Sequence, residues 1–168
     1  MNKMSLAGVF MIMTMITGCG GGGSSTPSPI TPITPTTAVL KFSSQGTLPD
    51  GKAVAGVRAT VELPAGVSVK TTGTGDVDTT VVVPSGLFDK QDNLLPVTYT
   101  AATANAKATL SFSIVSLKPA GAGVGEYATL TLNLSGVSPV VSDYRITLFN
   151  PRDMSGGDIT ALTPALAL

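Results

Sequence analysis

The chain contains no histidine, no tryptophan and a single cysteine, Cys19. Without His, neither a Ser-His-Asp nor a Cys-His nucleophile can be assembled, and zinc sites built from His and Cys ligands are excluded. One cysteine cannot close an intramolecular disulfide. Charge is also scarce: 12% of the residues are Asp, Glu, Lys or Arg, balanced to a net charge of zero, against about 25% in an average soluble protein. There is no basic patch of the kind that nucleic-acid binding requires, and no charged tail. What the chain does have is Thr, Ser, Val, Gly and Ala, a composition suited to an extracellular β protein.

The residues are unevenly distributed. Five of the six methionines (Met1, Met4, Met11, Met13 and Met15) precede Cys19. Lys3 supplies a positive start, and Met4 to Thr17 is uncharged and apolar. That run is shorter than the roughly 20 residues of a membrane-spanning helix, but it suits the apolar region of a secretory signal peptide. It ends in Ile16-Thr17-Gly18-Cys19. This resembles the bacterial lipobox, in which an aliphatic residue, a small residue and Gly or Ala precede the cysteine. The resemblance implies that the Cys19 thiol receives a diacylglycerol, with acyl chains such as palmitate, and that cleavage falls just before it. Residues 1–18 would then be the signal peptide. Two or three acyl chains hold a protein stably where one does not, since each buried CH₂ contributes about 0.8 kcal/mol. Gly20 stands where an Asp tends to retain Gram-negative lipoproteins at the inner membrane. By that resemblance the expected address is the outer membrane, with its face left open between periplasm and cell surface.

Residues 19–37 continue as CGGGGSSTPSPITPITPTT. Four glycines give a swivel, and Pro29, Pro32 and Pro35 recur every third residue. Proline fixes φ and favours an extended polyproline II spacer of about 3.1 Å per residue. Too few large apolar residues are present to fold this stretch, so a disordered linker is expected.

From residue 38 to 168 the pattern changes to strict alternation. Val57, Ala59, Val61 and Leu63 share one face of a strand, as do Ala108, Leu110, Phe112 and Ile114. Ala128, Leu130, Leu132 and Leu134 form a third inward set, with Tyr127, Thr129, Thr131 and Asn133 outward; Tyr144, Ile146 and Leu148 form a fourth. Further strands are expected at 38–44, 67–72, 78–84, 96–102 and in the last ten residues, with at most a helical turn near Leu87 to Asp92. About nine short strands separated by Gly, Pro, Asn and Asp predict an all-β chain folded as a single antiparallel β-sandwich.

Within this region VAGVRATVELPAGVSVKTT and LSFSIVS…GAGVGEYATLTLNL resemble the early and late strand pairs of cohesin-like modules. The resemblance covers most of residues 38–168. It implies a nine-stranded jelly roll, related to some carbohydrate-binding modules, that binds protein or glycan without catalysis.

Three acidic pairs are candidates for calcium, which takes six to eight oxygen ligands. They are Asp76 and Asp78 in TGTGDVD, Asp89 and Asp92 in FDKQDN, and Asp153 and Asp158 in RDMSGGD. The competing explanation is turn chemistry, since Asp bonds readily to its own backbone in tight turns. A glycosidase would need paired carboxylates, yet only Glu62 and Glu126 represent Glu, both at strand positions. The glycine-rich GAGVG (121–125) precedes a strand and not the helix that a phosphate cradle needs, so a hairpin is expected there. Tyr99, Tyr127 and Phe149 are candidate exposed aromatics, read as cross-strand pairs stabilising a sheet face. No catalytic or cofactor residue is assigned. The expected function is that of a lipid-anchored envelope module for protein interaction, scaffolding or adhesion. Glycan binding is the alternative, and glycan hydrolysis a lower one.

Overall fold

The computed structural model describes residues 35–168. Cys19 and most of the linker lie outside the described residues. The fold is a β-sandwich of ten strands: β1 (Thr37–Gly46), β2 (Val54–Leu63), β3 (Val67–Ser68), β4 (Val82–Pro84), β5 (Asn93–Leu94), β6 (Thr98–Thr100), β7 (Ala108–Val115), β8 (Glu126–Leu134), β9 (Arg145–Asp153) and β10 (Leu162–Ala167). One sheet runs β10-β1-β8-β3, with β4 also paired to β8. The other runs β5-β7-β2-β9, with β6 also paired to β7. Every pairing is antiparallel.

Two edges are strands broken in the middle. β5 and β6 pair with successive stretches of β7, interrupted at Pro96, which has no N–H to give to a ladder. β3 and β4 do the same along β8, separated by the loop 69–81. Short, interrupted edges offer little template for an incoming strand.

The core lies where alternation predicts. Val57, Ala59, Val61 and Leu63 of β2 meet Ala108, Leu110, Phe112 and Ile114 of β7, all buried. They face Leu40 and Phe42 of β1 and Ala128, Leu130 and Leu132 of β8 from the opposite sheet. The Phe42 ring joins the two sheets, edge-on to Phe112 at 5.3 Å and to Phe149 at 5.9 Å. Burying such a ring contributes about 2–3 kcal/mol, and its edge-to-face geometry about 0.5–1.5 kcal/mol more per aromatic pair.

Two expectations about side-chain direction fail, both at β-bulges. The β1–β8 register shifts between Phe42 and Ser43, so that Phe42 opposes Ala128 while Ser43 opposes Glu126. The extra residue is Tyr127. It turns inward beside Ala128 and is fully buried, where uninterrupted alternation would point it to solvent. The β2–β9 register shifts between Thr60 and Val61, so that Thr60 opposes Leu148 and Val61 opposes Ile146. Beyond this bulge the alternation of β9 inverts: Leu148 is exposed and Phe149 packs against the core.

Two smaller expectations are also corrected. Residues 87–92 form successive turns, and the helical turn of the domain is a 3-10 turn at Val141–Asp143. GAGVG does not close a hairpin, because β7 and β8 lie in different sheets. It arches from one sheet to the other, tied by Ala122 to Val54 and by the Ser44 N–H to the Gly125 carbonyl. Gly86, in the turn after β4, has φ +65°, and a Cβ there would lie 2.6 Å from the Glu126 carbonyl oxygen. Only glycine meets both conditions without strain.

Candidate functional site

The six aspartates are distributed over three separate loops, and each is engaged by its own surroundings. In the loop between β3 and β4, Asp78 accepts the N–H and hydroxyl of Thr80 at 2.9 and 2.6 Å and pairs with Lys70 at 2.9 Å. The Thr80 hydroxyl first, then Lys70, hold its carboxyl well below the usual carboxylate range. Asp76 accepts the Thr74 hydroxyl at 2.8 Å. Asp92 is buried, and fastens its turn by accepting the N–H of Asp89 at 2.6 Å and that of Leu117 at 2.7 Å. Asp89 faces Lys118 at 3.1 Å. Asp153 is also buried and accepts the N–H groups of Ser155 and Gly157 at 2.8 and 2.9 Å, with Lys52 on its other oxygen. The Lys52 hydrogen bond, followed by that from Gly157, lowers the Asp153 pKa. Asp158 pairs with Arg152 at 3.4 Å. This is the turn chemistry of aspartate, extended by lysine and arginine partners. Among the described residues no three acidic groups converge where a metal ion could sit.

Glu62 belongs to β2 and Glu126 to β8, strands of opposite sheets. Glu126 is held by Lys41 at 3.6 Å and by the Ser85 hydroxyl at 2.7 Å.

The aromatics turn toward the core. Tyr127 and Tyr144 are buried, while Tyr99 and Phe149 are half-buried and packed against the core cluster. The Tyr127 ring stands edge-on to Phe88 at 5.1 Å. Its hydroxyl lies 2.7 Å from the Ser44 hydroxyl and donates to the Gly123 carbonyl at 3.0 Å. Ser44 was not singled out by the sequence pattern, though its spacing from Leu40 and Phe42 places it on the inward face of β1. Tyr144 is the contrast: its buried hydroxyl has no partner among the described residues. Burial pushes both phenols above their ordinary pKa.

The outer face of the β5-β7-β2-β9 sheet is rich in Thr and Ser. Thr98, Ser111, Thr60 and Leu148 align in one row, and Thr100, Thr109, Glu62 and Arg145 in the next. Thr60 and Ser111 share a hydrogen bond of 2.8 Å. Toward the other end of this face a groove of about 710 Å³ opens over β2, walled by β7 and β9. Its floor includes Gly56, whose backbone runs so close to β7 that a Cβ would lie 2.9 Å from the Ile114 carbonyl oxygen. Ser113, Arg58 and Asn150 cross it in register. Val115, Leu148 and Met154 supply exposed apolar surface at its margins. Arg58 is exposed, and no carboxylate among the described residues lies within ion-pair distance of it. The sequence marks Arg58 only as a charge in the middle of a strand, a pattern common on any solvated sheet face.

Searches of protein-family models, of curated proteins and of solved structures return no match to this chain.

Proposed function

We propose that the protein is a bacterial envelope lipoprotein, anchored through Cys19, whose cohesin-like β-sandwich binds another protein without catalysing a reaction. The observation that carries the binding role is the outer face of the β5-β7-β2-β9 sheet. It is rich in Thr and Ser, with an arginine-centred groove at one end. Polar sheet faces with a few apolar anchors suit docking to a second protein surface. A sugar-binding face would use exposed aromatic rings as stacking platforms, and here Tyr99, Tyr127, Tyr144 and Phe149 are spent on or against the core. For hydrolysis, two carboxylates must flank one bond at about 5–9.5 Å, and Glu62 and Glu126 sit on different sheets.

The anchoring role rests on the lipobox and on the linker after it, which would hold the sandwich clear of the bilayer. Metabolic labelling with a radioactive or alkyne-bearing fatty acid tests it. The wild-type chain takes up label and Cys19→Ala takes up none; equal labelling of both would refute the assignment. The binding role is tested by pull-down of the full-length protein from envelope extract. A protein retained by the wild type and lost when the Thr60/Ser111 face is replaced by charge supports it. Retention of polysaccharide alone would overturn it in favour of a glycan-binding module.

A further inference from the structure

We infer that the groove over Gly56 is a docking site for an acidic, aliphatic peptide segment of the partner, with Arg58 as the carboxylate receptor. This rests on the reading of the domain as a protein-binding module and names where, and by what chemistry, it binds.

Charge complementarity supports the choice of occupant. Lys41, Lys52, Lys70, Lys118 and Arg152 each have a carboxylate partner. Among the described residues Arg58, Lys90, Lys107 and Arg145 have none, and of these four only Arg58 lines the groove; it stands at the middle of the sheet with Ser113 on one side and Asn150 on the other. A guanidinium presents a planar fork of donors that matches a carboxylate in a two-point contact. Ser113 and Asn150 can each add a hydrogen bond to the same oxygens or to the peptide backbone. Arg152, at the next position along β9, is tied to Asp158 and Asn150 and contributes positive potential without being the free receptor.

The remaining walls choose the rest of the ligand. Val115, Leu148 and Met154 are exposed by 37%, 37% and 54%, and all three line this groove. Arg152 and Asp153 also line the groove but are paired with Asp158 and Lys52, so Arg58 is the one unpaired charge among these apolar side chains, the layout of an interface anchor pocket. They are aliphatic or thioether groups, which pack against Leu, Val or Ile and give a sugar ring no flat surface. The groove lies over β2, a central strand flanked by β7 and β9. A ligand there cannot extend the sheet by pairing with an edge; it must be read through side chains. The volume of about 710 Å³ suits a few residues of extended chain.

The test uses full-length protein in detergent micelles and fluorescein-labelled eight-residue peptides, read by fluorescence anisotropy. The probe alternates Leu and Asp; one control replaces Asp by Lys, and another replaces Leu by Ser. Saturable binding of the Leu-Asp peptide alone is expected. Arg58→Glu should weaken it by about ten-fold or more and Arg58→Lys by less, because the two-point fork is lost while the charge remains. Raising the salt should weaken binding as well. Arg58 is exposed and unbonded, so the melting temperature of Arg58→Glu should match the wild type. Should it fall, Asn150→Ala and Val115→Glu provide separate tests at the same groove. Failure of the Leu-Asp peptide to bind at millimolar concentration would overturn the proposal. So would binding unchanged by Arg58→Glu, or polygalacturonate binding through Arg58 while the peptide does not. These outcomes leave the pull-down and the fatty-acid labelling free to succeed, so the site can fail without the lipoprotein module failing.

Discussion

The two buried tyrosines make opposite predictions for the same chemical change. Tyr127→Phe removes a hydroxyl that donates to Gly123 and lies 2.7 Å from the Ser44 hydroxyl. It leaves a carbonyl without its donor and a buried serine without its partner, while the ring stays packed against Phe88. A neutral hydrogen bond contributes about 0.5–1.5 kcal/mol net, and a buried group left unpaired adds to the loss, so about 1–2 kcal/mol is expected. For a domain of this size that lowers the melting temperature by about 3–6 °C. Tyr144→Phe removes a buried hydroxyl that has no partner among the described residues. It should be neutral or raise stability by up to about 1 kcal/mol, because a desolvated polar group is exchanged for a C–H. Thermal and urea melts followed by circular dichroism measure both. Adding Ser44→Ala closes a double-mutant cycle, in which Ser44 and Tyr127 should couple by about 0.5–1.5 kcal/mol and Ser44 and Tyr144 not at all. Equal effects of Tyr127→Phe and Tyr144→Phe, or no coupling between Ser44 and Tyr127, would refute the assignment of Tyr127 to an inward bulge position.

Other perturbations test the remaining structural claims. Asp92→Ala leaves the N–H groups of Asp89 and Leu117 without their acceptor and should cost about 2–3 kcal/mol in urea melts. Gly86→Ala forces a Cβ into a positive φ and against the Glu126 carbonyl; a loss of about 1–3 kcal/mol is expected. The pH dependence follows from the shifted groups. Asp78 and Asp153 have depressed folded pKa values, so their contribution is full above the ordinary carboxylate value of 3.8 and is lost as pH falls below it. Tyr127 and Tyr144 have raised folded values, so their contribution is full below 10.0 and is lost as pH rises through the higher folded values. Melts across pH should therefore show a plateau bounded by an acid limb and an alkaline limb, the latter coinciding with phenolate absorbance.

Where alternation runs unbroken, the sequence predicts side-chain direction correctly. All four inward residues of β7 are buried, as are those of β2. Prediction fails where a single extra residue inverts the period. Alternation places Tyr127 and Leu148 on the wrong face because the bulges lie in pairings between strands distant in sequence, and their positions depend on how β1 meets β8 and β2 meets β9. The aspartate loops fail to show their roles for a similar reason. Spacing locates Asp92 in a turn, but its second partner, Leu117, comes from the other side of β7. Nothing local to Asp153 announces Lys52, which arrives from the loop before β2. Arg58 is plain in the sequence; its isolation from carboxylates and its place beside Ser113, Asn150 and the Gly56 trough are products of register.

The central claim is that this sandwich is carried on a lipid at Cys19, and intact-mass spectrometry of the protein purified from membranes measures that directly. The predicted result is a chain beginning at Cys19, heavier than its amino acids by a diacylglyceryl group and, with the amine also modified, a further acyl chain. A chain that begins elsewhere, or that retains Cys19 as a free thiol, would contradict it.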